Sequence, residues 1–215
     1  MLVEFEVEKR LGDFLLSAAG ELAEGLRCIV GPNGSGKTTL MKILAGLMKP
    51  DRGHVSMRGV KSVVYISDLP SPPDALGIDV LAAGRTRFSK RPITEEEEET
   101  LLKYAELLGV AQLARRRWGT LSGGERQRLV VAAALAAEAD FLLLDEPLSN
   151  LHGDWRKRVM ETLRNYARQK IVVVTTHHGD ILGCCAEILA MREGKLMWRG
   201  PPSEFTWPID WRCDV

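Results

Sequence analysis

The 215-residue sequence predicts an α/β fold built on a parallel sheet, and three observations carry that reading. Two continuous apolar runs, "FLLLDEP" (141–147) and "KIVVVTTHH" (170–178), are of the kind buried on both faces of a parallel sheet. Between them, residues 154–169 place Trp155, Val159, Met160, Leu163, Tyr166 and Ala167 on one helical face, which makes a strand–helix–strand crossover. A third apolar run, "LRCIV" (26–30), passes straight into a glycine-rich loop and a further helix.

The elements follow in order. Residues 2–8 alternate apolar and charged side chains, as a half-buried strand does, and lack the apolar block of a signal peptide. A second strand is expected over 14–19, the third over 26–30, and a helix from Lys37 to about Leu47. "KPDRG" (49–53) is a turn, followed by short strands at 54–57 and 63–66. At Pro70 the character changes: "PSPPD" breaks the chain, and helical patterns dominate to about Asp140. Within that lobe, residues 94–108 form a helix whose acidic first turn suits its dipole, and "EEEEE" (95–99) is its solvated face. After the crossover, short strands at 187–191 and 195–199 around "REGK" close a hairpin. The tail, "TWPIDWRCDV", has no period.

Composition narrows the function. Lysines plus arginines equal aspartates plus glutamates at 29 each, so no global field recruits nucleic acid or an anionic membrane. The cluster "ARRRW" (114–118) is too short to reverse this, and no nucleic-acid partner is expected. Cys28, Cys184, Cys185 and Cys213 show neither zinc-ligand nor C-x-x-C spacing, and four reduced thiols in a cytosolic setting are expected. The longest apolar run, 129–137, is too short to span a bilayer. Side-chain amides are scarce, confined to Gln112, Gln127, Gln169, Asn33, Asn150 and Asn165, a bias that fits heat adaptation.

Chemistry concentrates in three stretches. "GPNGSGKT" (31–38) matches G-x-x-x-x-G-K-S/T directly after a strand and opening a helix, which marks a nucleoside triphosphate site. Its backbone N–H groups converge on phosphate, Lys37 reaches the β and γ phosphates, and the Thr38 hydroxyl ligates magnesium. The strand "FLLLDEP" delivers Asp145 to the sheet's carboxyl edge to hold the magnesium shell, and Glu146 to orient or deprotonate the attacking water. "LSGGERQR" (121–128) starts a helix on two glycines although glycine costs a helix about 1 kcal/mol relative to alanine, so bare backbone is wanted there. The adjacent His177 and His178 point to opposite faces if the strand continues through them, which gives no zinc site.

In this order and over nearly the whole chain, "GPNGSGKT", "LSGGE", "FLLLDEP" and a histidine after the next strand resemble the ATP-binding cassette (ABC) ATPases. The resemblance implies a P-loop NTPase fold with a RecA-like mixed-sheet core, an N-terminal antiparallel β part and an inserted helical signature subdomain. On it, residues 1–215 form a single ABC ATPase domain: 1–69 and 141–200 the nucleotide-binding core, 70–140 the signature subdomain, 201–215 the tail.

It further implies ATP and Mg²⁺ as cofactors and a head-to-tail dimer, most simply of two identical chains, with two ATP molecules sandwiched between them. Gly31, Pro32, Asn33, Gly34, Ser35, Gly36, Lys37, Thr38 and Thr39 then hold one nucleotide, and Ser122, Gly123, Gly124 and Glu125 of the other chain close over its γ-phosphate. His177 matches the switch histidine. The sequence departs from the family at three places. Asp68 stands where a magnesium-binding glutamine is usual and can still ligate the metal, His152 stands where aspartate is usual, and Leu11 takes the place of the aromatic that stacks on adenine, with Phe14 the nearest ring.

"DVLAAGRTRF" (79–88) and the signature are similar to the ATPases of importers for ferric siderophores, haem and cobalamin. That similarity implies a membrane permease as partner and a place on the cytoplasmic face of the membrane. The alternative is a soluble ATPase of the same family, such as one serving iron–sulphur cluster assembly, which Asp68 and the short segment 55–66 keep open.

Overall fold

A computed structural model describes residues 1–67, 72–86 and 93–208. Among the described residues, nine strands form one sheet in the order β4-β1-β2-β9-β8-β3-β7-β6-β5. β1 (Leu2–Leu11), β2 (Phe14–Ala23) and β4 (Arg52–Arg58) make its antiparallel wing. The β1–β2 turn is two residues long, with Leu11 paired to Phe14 and Gly12 at φ +61°, the positive value such a hairpin needs. β3 (Gly25–Val30), β7 (Ile171–Thr176), β6 (Phe141–Leu144) and β5 (Val63–Ile66) are mutually parallel. β8 (Glu187–Arg192) pairs parallel with β3 and antiparallel with β9 (Lys195–Gly200), which joins the two halves.

The parallel strands are buried on both faces, and their two-residue period sorts them into two cores. Leu26, Cys28, Leu142, Leu144, Val172 and Val174 face the first core, with the helical lobe and α5 (Asp154–Tyr166). Ile29, Phe141, Leu143, Ile171 and Val173 face the second, with α1 (Lys37–Leu44) and the antiparallel wing. The continuous apolar runs thus reflect two hydrophobic layers meeting at one sheet.

The lobe carries α2 (Gly77–Thr86), α3 (Glu95–Leu107) and α4 (Gly123–Ala136). Thr94 caps α3 in a reciprocal arrangement with Glu97, so the acidic run begins as a capping box. Arg128 of α4 ties the lobe to α5: its guanidinium lies 3.7 Å over the Trp155 ring and donates to the Leu108 and Gly109 carbonyls at 2.9 and 3.0 Å. Of the aperiodic tail, the described part packs as aromatics, with Phe205 between Trp198 and Trp207 at centroid distances of 5.1 and 5.7 Å.

The expectation of four reduced cysteines is corrected. Cys28 and Cys185 are joined in a disulfide across 157 residues, with Cα atoms 6.0 Å apart. The segment entering β8 runs beside β3, and this non-local pairing is what Cys spacing in the sequence does not register. Cys184 is a free, half-buried thiol, whose pKa burial raises. Cys213 lies outside the described residues.

Candidate nucleotide-binding and hydrolysis site

Parallel strands β3, β7 and β6 end side by side, so the loops that leave them meet at one edge of the sheet. β3 leads to Gly31, where a Cβ would sit 2.1 Å from the Met191 carbonyl, so only glycine lets the loop turn against β8. The β8–β9 turn supports the same loop, because the Gly194 N–H donates to the Ser35 carbonyl at 3.0 Å. The closing hairpin therefore props up the loop as well as ending the sheet.

Lys37 is buried, and its Nζ donates to the carbonyls of Gly31 and Pro32 at 2.8 and 3.0 Å. Burial lowers its pKa, while the nearby Glu146 and Asp145 pull it back up. A buried ammonium resting on two neutral carbonyls fits an anionic ligand. Ser35 adds to that fit: it is 2% exposed, and its Oγ has no hydrogen-bond partner among the described residues. Asn33, Gly34 and Thr38 are exposed, and Pro32, Gly36 and Thr39 are half-buried, so the loop offers both backbone and hydroxyl groups to a phosphate chain.

Asp145 and Glu146, at the end of β6, are held by polar residues that sequence reasoning missed. Thr175, fully buried near the end of β7, donates its hydroxyl to Asp145 Oδ1 at 2.5 Å and accepts from the Glu146 N–H at 2.7 Å. Tyr65 donates to Asp145 Oδ2 at 3.1 Å, and burial together with the Asp145 charge pushes its pKa up to about 12. Glu146 has φ +51°, a conformation that L residues rarely adopt. The signal for Thr175 was in the sequence: a polar pair, "TT", ending an otherwise apolar strand.

On α4, Ser122 is the N-cap and Glu125 returns the bond, with Ser122 Oγ accepting from Glu125 N at 3.3 Å and Ser122 N donating to Glu125 Oε2 at 2.8 Å. That backbone contact, followed by the Ser122 hydroxyl and Arg116, lowers the Glu125 pKa. Ser122 and Gly123 are exposed, and Gly123 and Gly124 open the helix, where N–H groups have no intrahelical acceptor. A Cβ on Gly124 would come within 3.1 Å of the Asn150 carbonyl, so Gly124 also lets the chain's own loop after β6 press against the helix.

His177 is exposed beyond β7. The expectation that His177 and His178 face opposite ways is corrected: β7 ends at Thr176, alternation lapses, and the two rings lie 4.2 Å apart. His178 Nδ1 is 2.7 Å from Arg156 Nη1, and since arginine can only donate, the imidazole accepts. His152 is exposed on the loop before α5. Among the described residues no group of three or more His, Cys, Asp or Glu side chains is placed to hold a metal unaided. Asp68 lies outside the described residues. Leu11 is exposed, while Phe14 packs towards the glycine loop, its Cζ 3.0 Å from where a Gly36 Cβ would be. No helix among the described residues is long and apolar enough to cross a membrane.

A glycine loop holding a buried lysine beside two carboxylates, at the ends of parallel strands, defines a P-loop nucleoside triphosphatase. The sequence profile of the ABC transporter family matches residues 21–149. The chain is 31% identical over 219 residues to the molybdate/tungstate import ATP-binding protein WtpC of Archaeoglobus fulgidus, covering 95% of this chain and 89% of that protein. It is 32% identical over 203 residues to the ferric enterobactin transport ATP-binding protein FepC of Escherichia coli, covering 86% and 74%. A dimeric ATP-binding cassette in a post-hydrolysis state with ADP and Pi superposes with TM-score 0.80 at 21% identity, over 95% of this chain and all of that one. The chain belongs to the ABC transporter family and is one of its ATPases.

Proposed function

We propose that this chain is the ATP-hydrolysing subunit of an importer, and that two copies close head to tail around two ATP molecules to drive a membrane permease docked on their helical lobes. The observation that carries the hydrolytic part is Lys37, buried on neutral carbonyls beside Asp145 and Glu146. Uptake of a metal chelate or a similar small solute is supported by the relatives named for molybdate/tungstate and ferric enterobactin import.

In this mechanism the loop from Gly31 to Thr39 grips the phosphates through its N–H groups, the Ser35 hydroxyl and the Lys37 ammonium. Thr38 and Asp145, with Asp68 as the family resemblance implies, are the residues that would hold magnesium, which when bound would offset phosphate charge. Glu146 orients the attacking water and accepts its proton, and His177 reaches the γ-phosphate. Ser122, Gly123 and Gly124, with Glu125 as their capping partner, close over the γ-phosphate held by the partner chain. Closure does the mechanical work; hydrolysis reopens the pair.

Ser122→Arg tests the composite site. Hydrolysis is blocked while the single chain still binds ATP; loss of both together, or of neither, contradicts the arrangement. Co-purification with a permease from detergent-solubilised membranes tests the importer, and a soluble partner in its place contradicts it.

A further inference from the structure

The signature helix does more within its own chain than present Ser122. Gln127, one turn on, sends its side chain into the loop that follows β6. Its Nε2 donates to the Glu146 carbonyl at 3.0 Å, and its Oε1 accepts from Ser149 Oγ, Asn150 N and Asn150 Nδ2 at 3.2, 3.2 and 2.9 Å. The amide's orientation is fixed by these neighbours, because the Asn150 N–H can only donate and the Glu146 carbonyl can only accept. The Glu146 carbonyl has one other, longer donor, the Ser149 N–H at 3.4 Å.

Both backbone groups of Glu146 are thus held by side chains, its N–H by Thr175 and its C=O by Gln127. Two such bonds on a residue at φ +51° aim the carboxylate that follows from that backbone. The same loop backs onto the signature glycines, with Asn150 Cβ 3.4 Å from a Gly123 Cβ position and the Asn150 carbonyl 3.1 Å from that of Gly124. The first turns of α4 and residues 146–151 therefore form one packed unit.

We propose that Gln127 is a positioning residue that couples the two nucleotides of the dimer. When Ser122 to Gly124 engage the nucleotide on the partner chain, α4 shifts or stiffens, and Gln127 passes that state to Glu146, which acts on the chain's own nucleotide. This rests on the head-to-tail reading above. It makes each glutamate competent only when the opposite site is filled.

Gln127→Glu is the discriminating variant, because it keeps the shape and the oxygen acceptors but loses the donor to Glu146. The expected result is a kcat at least about tenfold lower, the loss that one such bond supports. KM and Kd for ATP stay within about twofold, and the Hill coefficient for ATP falls towards one. Hydrogen–deuterium exchange of the nucleotide-free chain gives a readout that needs no turnover: amides of residues 146–151 exchange faster in the variant, while those of β6 and β7 do not change. A variant with parental kcat, Hill coefficient and exchange overturns the proposal. If the parent chain hydrolyses no ATP, the proposed function has failed, and the exchange measurement still decides whether Gln127 holds Glu146.

Discussion

Replacing Thr175 by valine removes one oxygen from a fully buried position and tests how the carboxylate pair is held. The Thr175 hydroxyl donates to Asp145 Oδ1 at 2.5 Å and accepts from the Glu146 N–H at 2.7 Å. Losing a hydrogen bond to a charged group costs about 1.5–3 kcal/mol, and leaving the Glu146 N–H without its acceptor costs about 1–3 kcal/mol more. Against this, the new methyl group gains about 1 kcal/mol of burial. Asp145 and Glu146 are only half-buried, and water recovers part of the loss. A net destabilisation of about 2–4 kcal/mol follows. For a chain of this size that lowers the thermal midpoint by roughly 4–16 °C, at about 2–4 °C per kcal/mol. Thr175→Ser keeps both bonds and loses only a methyl group, about 1 kcal/mol. Urea unfolding with steady-state phosphate release reads both effects, and kcat of the valine variant falls about tenfold or more. A valine variant as stable and as active as the serine variant would refute the reasoning.

Two further outcomes are expected. Gly84→Ala forces a Cβ to within 2.0 Å of the Ala133 carbonyl on α4, so α2 and α4 must separate. Overpacking outweighs the helix propensity gained, and chemical denaturation shows a loss of about 1–3 kcal/mol; a neutral or stabilised variant contradicts the close α2–α4 contact. Burial first, then His177 and Arg156, lower the His178 pKa below its ordinary 6.5, opposed by Asp180. Just below pH 6.5 the unfolded chain therefore binds a proton that the folded chain resists. The stability this contributes is present above that pH and is lost as the pH falls towards the lowered folded value, so His178→Asn flattens the acid side of the stability–pH curve. Superimposable curves would argue against it.

The architecture was legible where local pattern and burial agree. Strand 141–144 is apolar throughout, and strand 171–176 is apolar up to its closing Thr175–Thr176 pair, because both faces are covered, and the crossover helix shows one apolar stripe because only one face is. The phosphate loop was legible because its spacing is itself the geometry. What escaped was decided by non-local pairing. Cys28 meets Cys185 only because β3 lies beside β8, and the histidine rings meet because β7 stops at Thr176. Thr175 and Gln127 carry no motif of their own. They matter because two adjacent elements bring them to Glu146, although a single amide kept in "ERQR" by a chain so poor in amides was a visible hint.

The glycines of "LSGGERQR" now have two reasons to be bare. Gly124 lets the loop carrying Asn150 approach within the chain, and on the proposed reading both face a phosphate the chain does not itself hold. The most direct test of that reading is the solution mass of the Glu146→Gln chain with and without ATP, by light scattering. Because the variant binds ATP but cannot turn it over, the account predicts a stable particle of twice 23.9 kDa with ATP and a single chain without it. A variant that binds ATP and stays at 23.9 kDa would contradict it.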